Sequence, residues 1–133
     1  MSTLALSALF LTVSQTYNLP PGLLSALCFV ESSHNVAALV MDDNGTPSVG
    51  VCQVKLATAR TLGFKGTETQ LRNPKVNVRL AGKYLAKQIR RYDYNLYKGV
   101  AAYNSGTWRM STTGYARNSH YVVKVLNSWA ERQ

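Results

Sequence analysis

The sequence predicts a mainly α domain (α+β class), in which a helical lobe carries one small β-hairpin region. Through most of the 133 residues, apolar side chains recur at helical spacing, which indicates amphipathic helices. Between Ala37 and Val54 this spacing is lost, and two apolar stretches, ALVM and VGVCQV, flank the turn-rich segment DDNGTP. A hydrophobic content of 46% with 16% charged residues is typical of a folded chain. We therefore expect one domain over residues 1–133.

The first two helices are predicted on either side of a proline pair. Residues 3 to about 17 have helical spacing and end before Asn18, and Pro21 is placed to open a second helix that runs to about Ser33. The stretch LALSALFLTV has the length of a signal-peptide core, but no Lys or Arg precedes it and no convincing cleavage site follows. We expect an ordinary first helix and no signal peptide. No apolar run approaches the roughly 20 residues that span a bilayer, so no membrane span is expected.

The remaining elements follow the hairpin region in order. Lys55–Leu62 is predicted as a short helix stopped by Gly63, and Thr67 and Gln70 match a capping box. The segment SGTWRMSTTGYA is predicted as a loop. The longer predicted helices are Pro74–Arg91, Leu96–Asn104 and Ser119–Trp129.

Glu31 is at odds with its surroundings. It shares a helical face with the apolar residues seven, four and three positions before it, which are Leu24, Leu27 and Cys28. An unpaired buried carboxylate costs several kcal/mol or keeps its proton. Glu31 also lies near the C-terminal end of its helix, where the macrodipole disfavours negative charge. Glu31 is therefore a candidate functional residue, and the alternative is a structural carboxylate paired with a buried Lys or Arg.

The charge balance is strongly basic, with 15 Lys and Arg against 6 Asp and Glu, and gives a net charge of +9. Such a chain fits nucleic acid, a membrane surface or an anionic polymer such as the bacterial cell wall. No basic run is longer than Arg90-Arg91, and no zinc-finger, RNA-binding or basic-zipper pattern occurs. We therefore expect no nucleic-acid partner.

The cysteines and histidines suggest neither a disulfide framework nor a metal site. Cys28 and Cys52 are too few for a disulfide-rich scaffold, and two buried thiols or a single bridge are both compatible with the sequence. His34 and His120 have no metal-ligand spacing around them.

Four short motifs occur in a fixed order, and a fifth segment follows them. They are ESS at 31–33, SVGVCQV at 48–54, NVRLAGKYL at 77–85, AAYNSG at 101–106 and YVVKVL at 121–126. Together they resemble the soluble lytic transglycosylase domain, which is similar to goose-type lysozyme. That family has Glu-Ser, Gly-Leu-Met-Gln, Ala-Tyr-Asn-Ala-Gly and a Tyr on the closing helix. The resemblance covers about residues 18–129 and implies a lysozyme-like fold, with an active-site cleft between the helical lobe and the hairpin region.

The resemblance implies an enzyme that cleaves the β-1,4 bond between N-acetylmuramic acid and N-acetylglucosamine in peptidoglycan. One Glu, here Glu31, acts as general acid and then as base while the 6-hydroxyl of muramic acid closes on the anomeric carbon. This leaves a 1,6-anhydro end and consumes no water. Apolar surroundings would raise the pKa of Glu31 and keep it protonated. The substrate-binding candidates are Ser32, Ser48, Gly50, Gln53, Tyr103, Asn104 and Tyr121.

Some of these residues have a more specific expectation. Gly50 is expected to let a sugar approach the backbone, and Gln53 to offer an acceptor and donors. Tyr103 and Asn104 are expected across the cleft, with Tyr103 near Glu31. Gln53 and Asn104 also suit a structural role in turns. The sequence departs from the family where Cys52 replaces Met and Ser105 replaces Ala.

Two other functions remain open at this point. A goose-type lysozyme would hydrolyse the same bond with a second carboxylate, and Asp42 or Asp43 could supply it. Both residues also suit the turn, and the second acidic position of the goose type is Lys55 here, which favours the transglycosylase. The more distant alternative is a non-catalytic cationic module that binds cell wall or nucleic acid.

The resemblance implies no metal and no organic cofactor. The expected partner is the glycan strand of peptidoglycan, and the expected site of action is the periplasm or cell wall. Without a convincing signal peptide, we expect a phage-encoded, virion-associated or otherwise delivered protein, monomeric unless it belongs to a virion or secretion apparatus.

Overall fold

The computed structural model of the protein describes residues 1–42, 44–112 and 114–132. Within these residues the chain forms seven helices and one three-stranded antiparallel sheet, and the predicted fold class is confirmed. In chain order, the elements are α1 (Thr3–Thr16), α2 (Leu23–Ser32), β1 (Leu39–Met41), β2 (Pro47–Val49), β3 (Val54–Lys55), α3 (Leu56–Thr61), α4 (Glu68–Leu71), α5 (Pro74–Arg91), α6 (Leu96–Ser105) and α7 (Ser119–Glu131).

The proline pair separates α1 from α2, but the prediction that Pro21 opens the second helix is wrong. Helix α2 begins at Leu23, and Gly22 is its N-cap residue with a φ of 84°. Glycine adopts this left-handed conformation without the steric cost that a side chain brings. The turn at Gly22 therefore sets the start of the helix. At the other end Ser33 is left-handed as well, with a φ of 55°, so Glu31 lies in the last turn.

Helix α5 has the predicted bounds because its N-terminal signals are strong. The side chain of Asn73 accepts a hydrogen bond from the backbone N–H of Lys75, and Pro74 occupies the first turn. The predicted capping box is present before α4, where Thr67 and Gln70 satisfy each other's backbone N–H groups.

The β region has one strand more than the predicted hairpin. Strand β2 pairs with β1 through Leu39 opposite Val49, and with β3 through Ser48 opposite Lys55. The third strand is only two residues long, too short to give an alternating pattern. It leads directly into α3 and so ties the sheet to the helical lobe.

The core is centred on α2, which packs against α7, α1 and α5, while α5 packs against α6. The side chains of Leu23, Leu24 and Leu27 are fully buried, as are Val122 and Val125 on α7. This packing holds the last turn of α2, with Glu31, at the border between the helices and the sheet. None of the described helices is long and apolar enough to cross a bilayer.

Candidate functional site

A cleft of about 270 Å³ lies where the sheet meets α5 and α6. Its walls come from the end of α2, strands β2 and β3, the start of α3, α5 and the C-terminal end of α6. The residues that line it are Glu31, Ser48, Gln53, Val54, Lys55, Thr58, Tyr84, Tyr103, Asn104, Ser105 and Gly106. Among these lining residues Glu31 is the only acid and Lys55 the only base.

Glu31 has the surroundings of a carboxyl group that keeps its proton to a higher pH than usual. Burial raises its pKa to about 7, and a hydrogen bond from Tyr121 opposes this shift. The Tyr121 hydroxyl donates to Oε2 of Glu31 at 2.6 Å. No Lys or Arg forms an ion pair with Glu31 in the described part of the chain. The carboxyl group can therefore give up a proton at neutral pH and, once charged, is held by one strong donor.

Tyr121 reaches Glu31 from α7 and is not itself part of the cleft lining. Burial raises its pKa well above the usual value, and the nearby charge of Glu31 raises it further. Its hydroxyl therefore keeps its hydrogen over the whole physiological range. Tyr121 is available as a donor to Glu31 in both states of the carboxyl group.

The segment behind Glu31 is fixed at several points. A disulfide joins Cys28, one turn before Glu31, to Cys52, so the bridge that the sequence left open is present. The Tyr103 hydroxyl donates to the carbonyl of Cys52 at 2.8 Å. The Ser32 hydroxyl, outside the cleft lining, donates to the carbonyl of Val51 at 2.6 Å. These contacts tie the end of α2, the segment after β2 and α6 together around the carboxyl group.

Gly50 is placed differently from the prediction, because the group that approaches it closely is a protein side chain. Gly50 is buried, has a φ of 82° and lies outside the cleft lining. A Cβ at this position would collide with the side chain of Asn77. Asn77 is fully buried on α5; it accepts from the backbone N–H of Cys52 and donates to the carbonyls of Val49 and Leu71.

Three other residues that were predicted to bind substrate line the cleft, namely Ser48, Gln53 and Asn104. The backbone of Gln53 is in the left-handed conformation, with a φ of 53°. Its side-chain Nε2 donates to the carbonyls of Gly50 and Ala38. Its Oε1 makes no hydrogen bond within the described residues. Asn104 is exposed at the end of α6 and accepts from Nδ2 of Asn118. Ser48 lies in β2.

The carboxylate of Asp42 is engaged elsewhere. Lys55 pairs with its Oδ2 at 2.8 Å, and the backbone N–H groups of Asn44 and Thr46 donate to its Oδ1. The hydrogen bond from Lys55 is the largest of the effects that lower the pKa of Asp42. Asp42 is not part of the cleft lining. Asp43 lies outside the described residues.

Sequence reasoning missed two residues on α5. Asn77 shares a face with the buried residues three and four positions later, Leu80 and Ala81. This is the same conflict of polarity that singled out Glu31, so the signal was available. Tyr84, inside the motif NVRLAGKYL, lines the cleft, but one aromatic residue on an amphipathic helix gives no signal of its own. No cluster of three or more His, Cys, Asp or Glu that could hold a metal ion occurs among the described residues.

Three comparisons relate the chain to known proteins. The model of a family described as "Transglycosylase SLT domain" matches residues 8–121. Protein IpgF from Shigella flexneri and from Shigella sonnei are each 30% identical to the chain over 95 residues, or 70% of this chain and 62% of IpgF. The chain thus matches less than two thirds of the length of these relatives. An X-ray structure of an inactive mutant of the lytic transglycosylase Slt from Pseudomonas aeruginosa has a similar fold, with a TM-score of 0.72 and 24% identity over 92% of this chain and 23% of that chain.

Proposed function

The chain belongs to the transglycosylase SLT domain family, and on that premise we propose that it cleaves bacterial peptidoglycan as a lytic transglycosylase. The bond is the β-1,4 bond between N-acetylmuramic acid and N-acetylglucosamine, and the product carries a 1,6-anhydro end. The resemblance found in the sequence motifs and the family match both support this activity. Glu31 is the catalytic acid and base.

Glu31 performs two proton transfers in turn. In the first, its carboxyl group protonates the glycosidic oxygen as the bond from that oxygen to C1 of the muramic acid breaks. The electron pair of the bond stays on the leaving oxygen. In the second, the Glu31 carboxylate takes the proton of the muramic acid's 6-hydroxyl as O6 bonds to C1. The carboxyl group is restored and no water is consumed.

The observation that carries the proposal is the placement of Glu31, which lines the cleft with one hydrogen-bond donor and no paired cation in the described part of the chain. A general acid works best when its pKa lies near the operating pH, and the pKa of Glu31 is about 7. The hydrogen bond from Tyr121 to Oε2 leaves Oε1 as the oxygen that carries the proton. The same bond stabilises the carboxylate formed when that proton is transferred. A reaction that consumes no water needs a group that first gives up a proton and then takes one, and a single carboxyl group can do both.

The state of Asp42 supports a transglycosylase over a hydrolase. An inverting hydrolase needs a second carboxylate at the cleft to activate water. Asp42 is paired with Lys55 and lies outside the cleft lining, and among the described residues that line the cleft Glu31 is the only acid. Lys55 itself lies in the cleft wall, at the position where goose-type lysozymes carry their second acid.

The substrate is anionic and the protein carries a net charge of +9, so the basic surface is proposed to hold it on the wall. Raising the salt concentration should weaken this attachment. The proposed site of action is the periplasm or the cell wall.

The test is mass spectrometry of the fragments that the protein releases from purified cell wall. The expected fragments are lighter than hydrolytic products by one water, and Glu31→Gln should release none while folding normally. The same type of substitution at an exposed carboxylate on α7, Glu131→Gln, is the matched control and should leave release unchanged. Reducing muramic ends would contradict the transglycosylase and point to a lysozyme. Wall binding without any release would contradict both and leave the binding module.

A further inference from the structure

A tyrosine with no role in the proton transfers lines the cleft beside the residues already described. Tyr84 lies in the middle of α5, and its ring packs against that of Tyr103 at 5.2 Å between centroids. Its side chain is only partly buried, since it faces the cleft that also holds Glu31. Nε2 of Gln88, one turn further along α5, donates to the Tyr84 hydroxyl oxygen at 2.9 Å.

The direction of that hydrogen bond is fixed by the other partners of Gln88. Gln88 is almost fully buried, at 4% exposure. The two hydrogens on its Nε2 are shared by the Tyr84 oxygen and the backbone carbonyls of Gly106 at 3.1 Å and Ala102 at 3.4 Å, and these carbonyls can only accept. Its Oε1 accepts from the guanidinium of Arg91 at 3.2 Å, and a guanidinium can only donate. The amide of Gln88 therefore cannot be turned over, and it acts toward Tyr84 as a donor.

This arrangement leaves the hydrogen of the Tyr84 hydroxyl available. The oxygen already accepts from Gln88, and the hydroxyl finds no acceptor among the described residues. The chain of donors from Arg91 through Gln88 to Tyr84 also polarises the phenol, because linked hydrogen bonds strengthen one another. The contact with Tyr103 restricts the ring, so the donor is held in place at the cleft.

We propose that Tyr84 is a substrate-contacting residue whose hydroxyl donates a hydrogen bond to the acetamido carbonyl of an N-acetylated sugar in the cleft. An amide carbonyl is a strong neutral acceptor, and every sugar of the proposed glycan carries one. Gln88 is the positioning residue, since it keeps the Tyr84 oxygen occupied and its hydrogen free. The inference rests on the proposed function and names one group through which the glycan is recognised.

The test compares Tyr84→Phe with its parent, both in the Glu31→Gln background so that no turnover occurs. Calorimetry would measure the binding of two hexamers, β-1,4-linked N-acetylglucosamine and β-1,4-linked glucose, which lacks acetamido groups. Tyr84→Phe should weaken binding of the acetylated hexamer roughly three- to tenfold, the effect of one neutral hydrogen bond. Binding of the glucose hexamer should not differ between the two proteins. Tyr115→Phe, which removes an exposed hydroxyl, is the control and should bind like the parent.

Gln88→Met tests the positioning role, since it removes the donor that occupies the Tyr84 oxygen and leaves the hydroxyl free to turn. It should weaken binding of the acetylated hexamer, and in the Tyr84→Phe background it should cause no further loss. Equal affinity of Tyr84→Phe and its parent for the acetylated hexamer would overturn the inference. An equal loss for both hexamers would also overturn it, because the acceptor would then be a hydroxyl. The two proposals can fail separately. If the protein with Glu31 intact releases wall fragments, but Tyr84→Phe binds the acetylated hexamer as tightly as its parent, the inference fails and the proposed function stands.

Discussion

Tyr121→Phe gives the most direct test of how the pKa of Glu31 is set. The substitution removes the hydroxyl that donates to Oε2 at 2.6 Å and keeps the ring. Burial raises the pKa of Glu31 to about 7, and this hydrogen bond lowers it. A hydrogen bond to a charged group contributes about 1.5 to 3 kcal/mol, and 1.36 kcal/mol corresponds to one pKa unit. We therefore expect the pKa of Glu31 to rise by roughly one to two units in the variant.

The rise in pKa has two consequences for the pH dependence of the reaction. Because the proposed acid is the protonated form, activity should fall as the pH passes about 7 in the parent protein and about 8 to 9 in Tyr121→Phe. At pH 5 Glu31 is protonated in both proteins, but the variant no longer stabilises the carboxylate that forms in the reaction. The rate at pH 5 should therefore drop about ten- to hundredfold, the same free energy expressed as a rate.

The assay is the rate of fragment release from purified cell wall between pH 4 and 9, at constant salt so that attachment does not change. Burial keeps the pKa of Tyr121 well above its usual value, so Tyr121 does not titrate in this range. Tyr115→Phe serves as the control. If the activity of Tyr121→Phe still falls near pH 7, or falls at a lower pH, the reasoning about Glu31 is refuted.

Three further predictions concern stability. Folding raises the pKa of Glu31 from 4.5 to about 7, so the free energy of unfolding falls as the pH rises between these values. Glu31→Gln should therefore stabilise the protein by about 3 kcal/mol above pH 7 and should have no such effect below pH 4. Urea unfolding at the two pH values would measure this. Reduction of the Cys28–Cys52 bridge, which closes a loop with a sequence separation of 24, should lower the free energy of unfolding by about 3 kcal/mol; no change on adding a reductant would contradict this. Asn77→Ala should cost about 2 to 4 kcal/mol because it leaves buried backbone groups without partners, and a melting temperature equal to that of the parent would contradict it.

The sequence predicted the helices well where their signals are local. Helix α5 is bounded by an Asn-Pro start and an apolar stripe, both readable within one segment, and its bounds came out as predicted. The start of α2 was missed because the proline pair outweighed Gly22, whose left-handed turn sets it. The third strand was missed because two residues carry no periodicity, and only their pairing with β2 makes them a strand.

The candidate site was predicted in part, for a similar reason. Glu31 was singled out because a carboxylate on an apolar helical face is a local contradiction. Gly50 was predicted to let a sugar approach its backbone, because a glycine indicates that some group comes close but not which one. The group that does so is the side chain of Asn77, which is 27 positions further along the chain. Tyr84 was not singled out, since its donor role depends on Gln88, Arg91 and the end of α6 together.

The sequence by itself determined where the helices lie (apart from the start of α2), the position of the β region and the presence of a carboxyl group on an apolar helical face, because helical period and capping act over a few residues. The tertiary structure decided what that carboxyl group experiences. The donor to Glu31 is Tyr121, 90 positions away, and Cys28 finds its partner 24 positions away. A pKa depends on the solvent and charges within a few ångströms, and these neighbours become defined only when distant segments pack together.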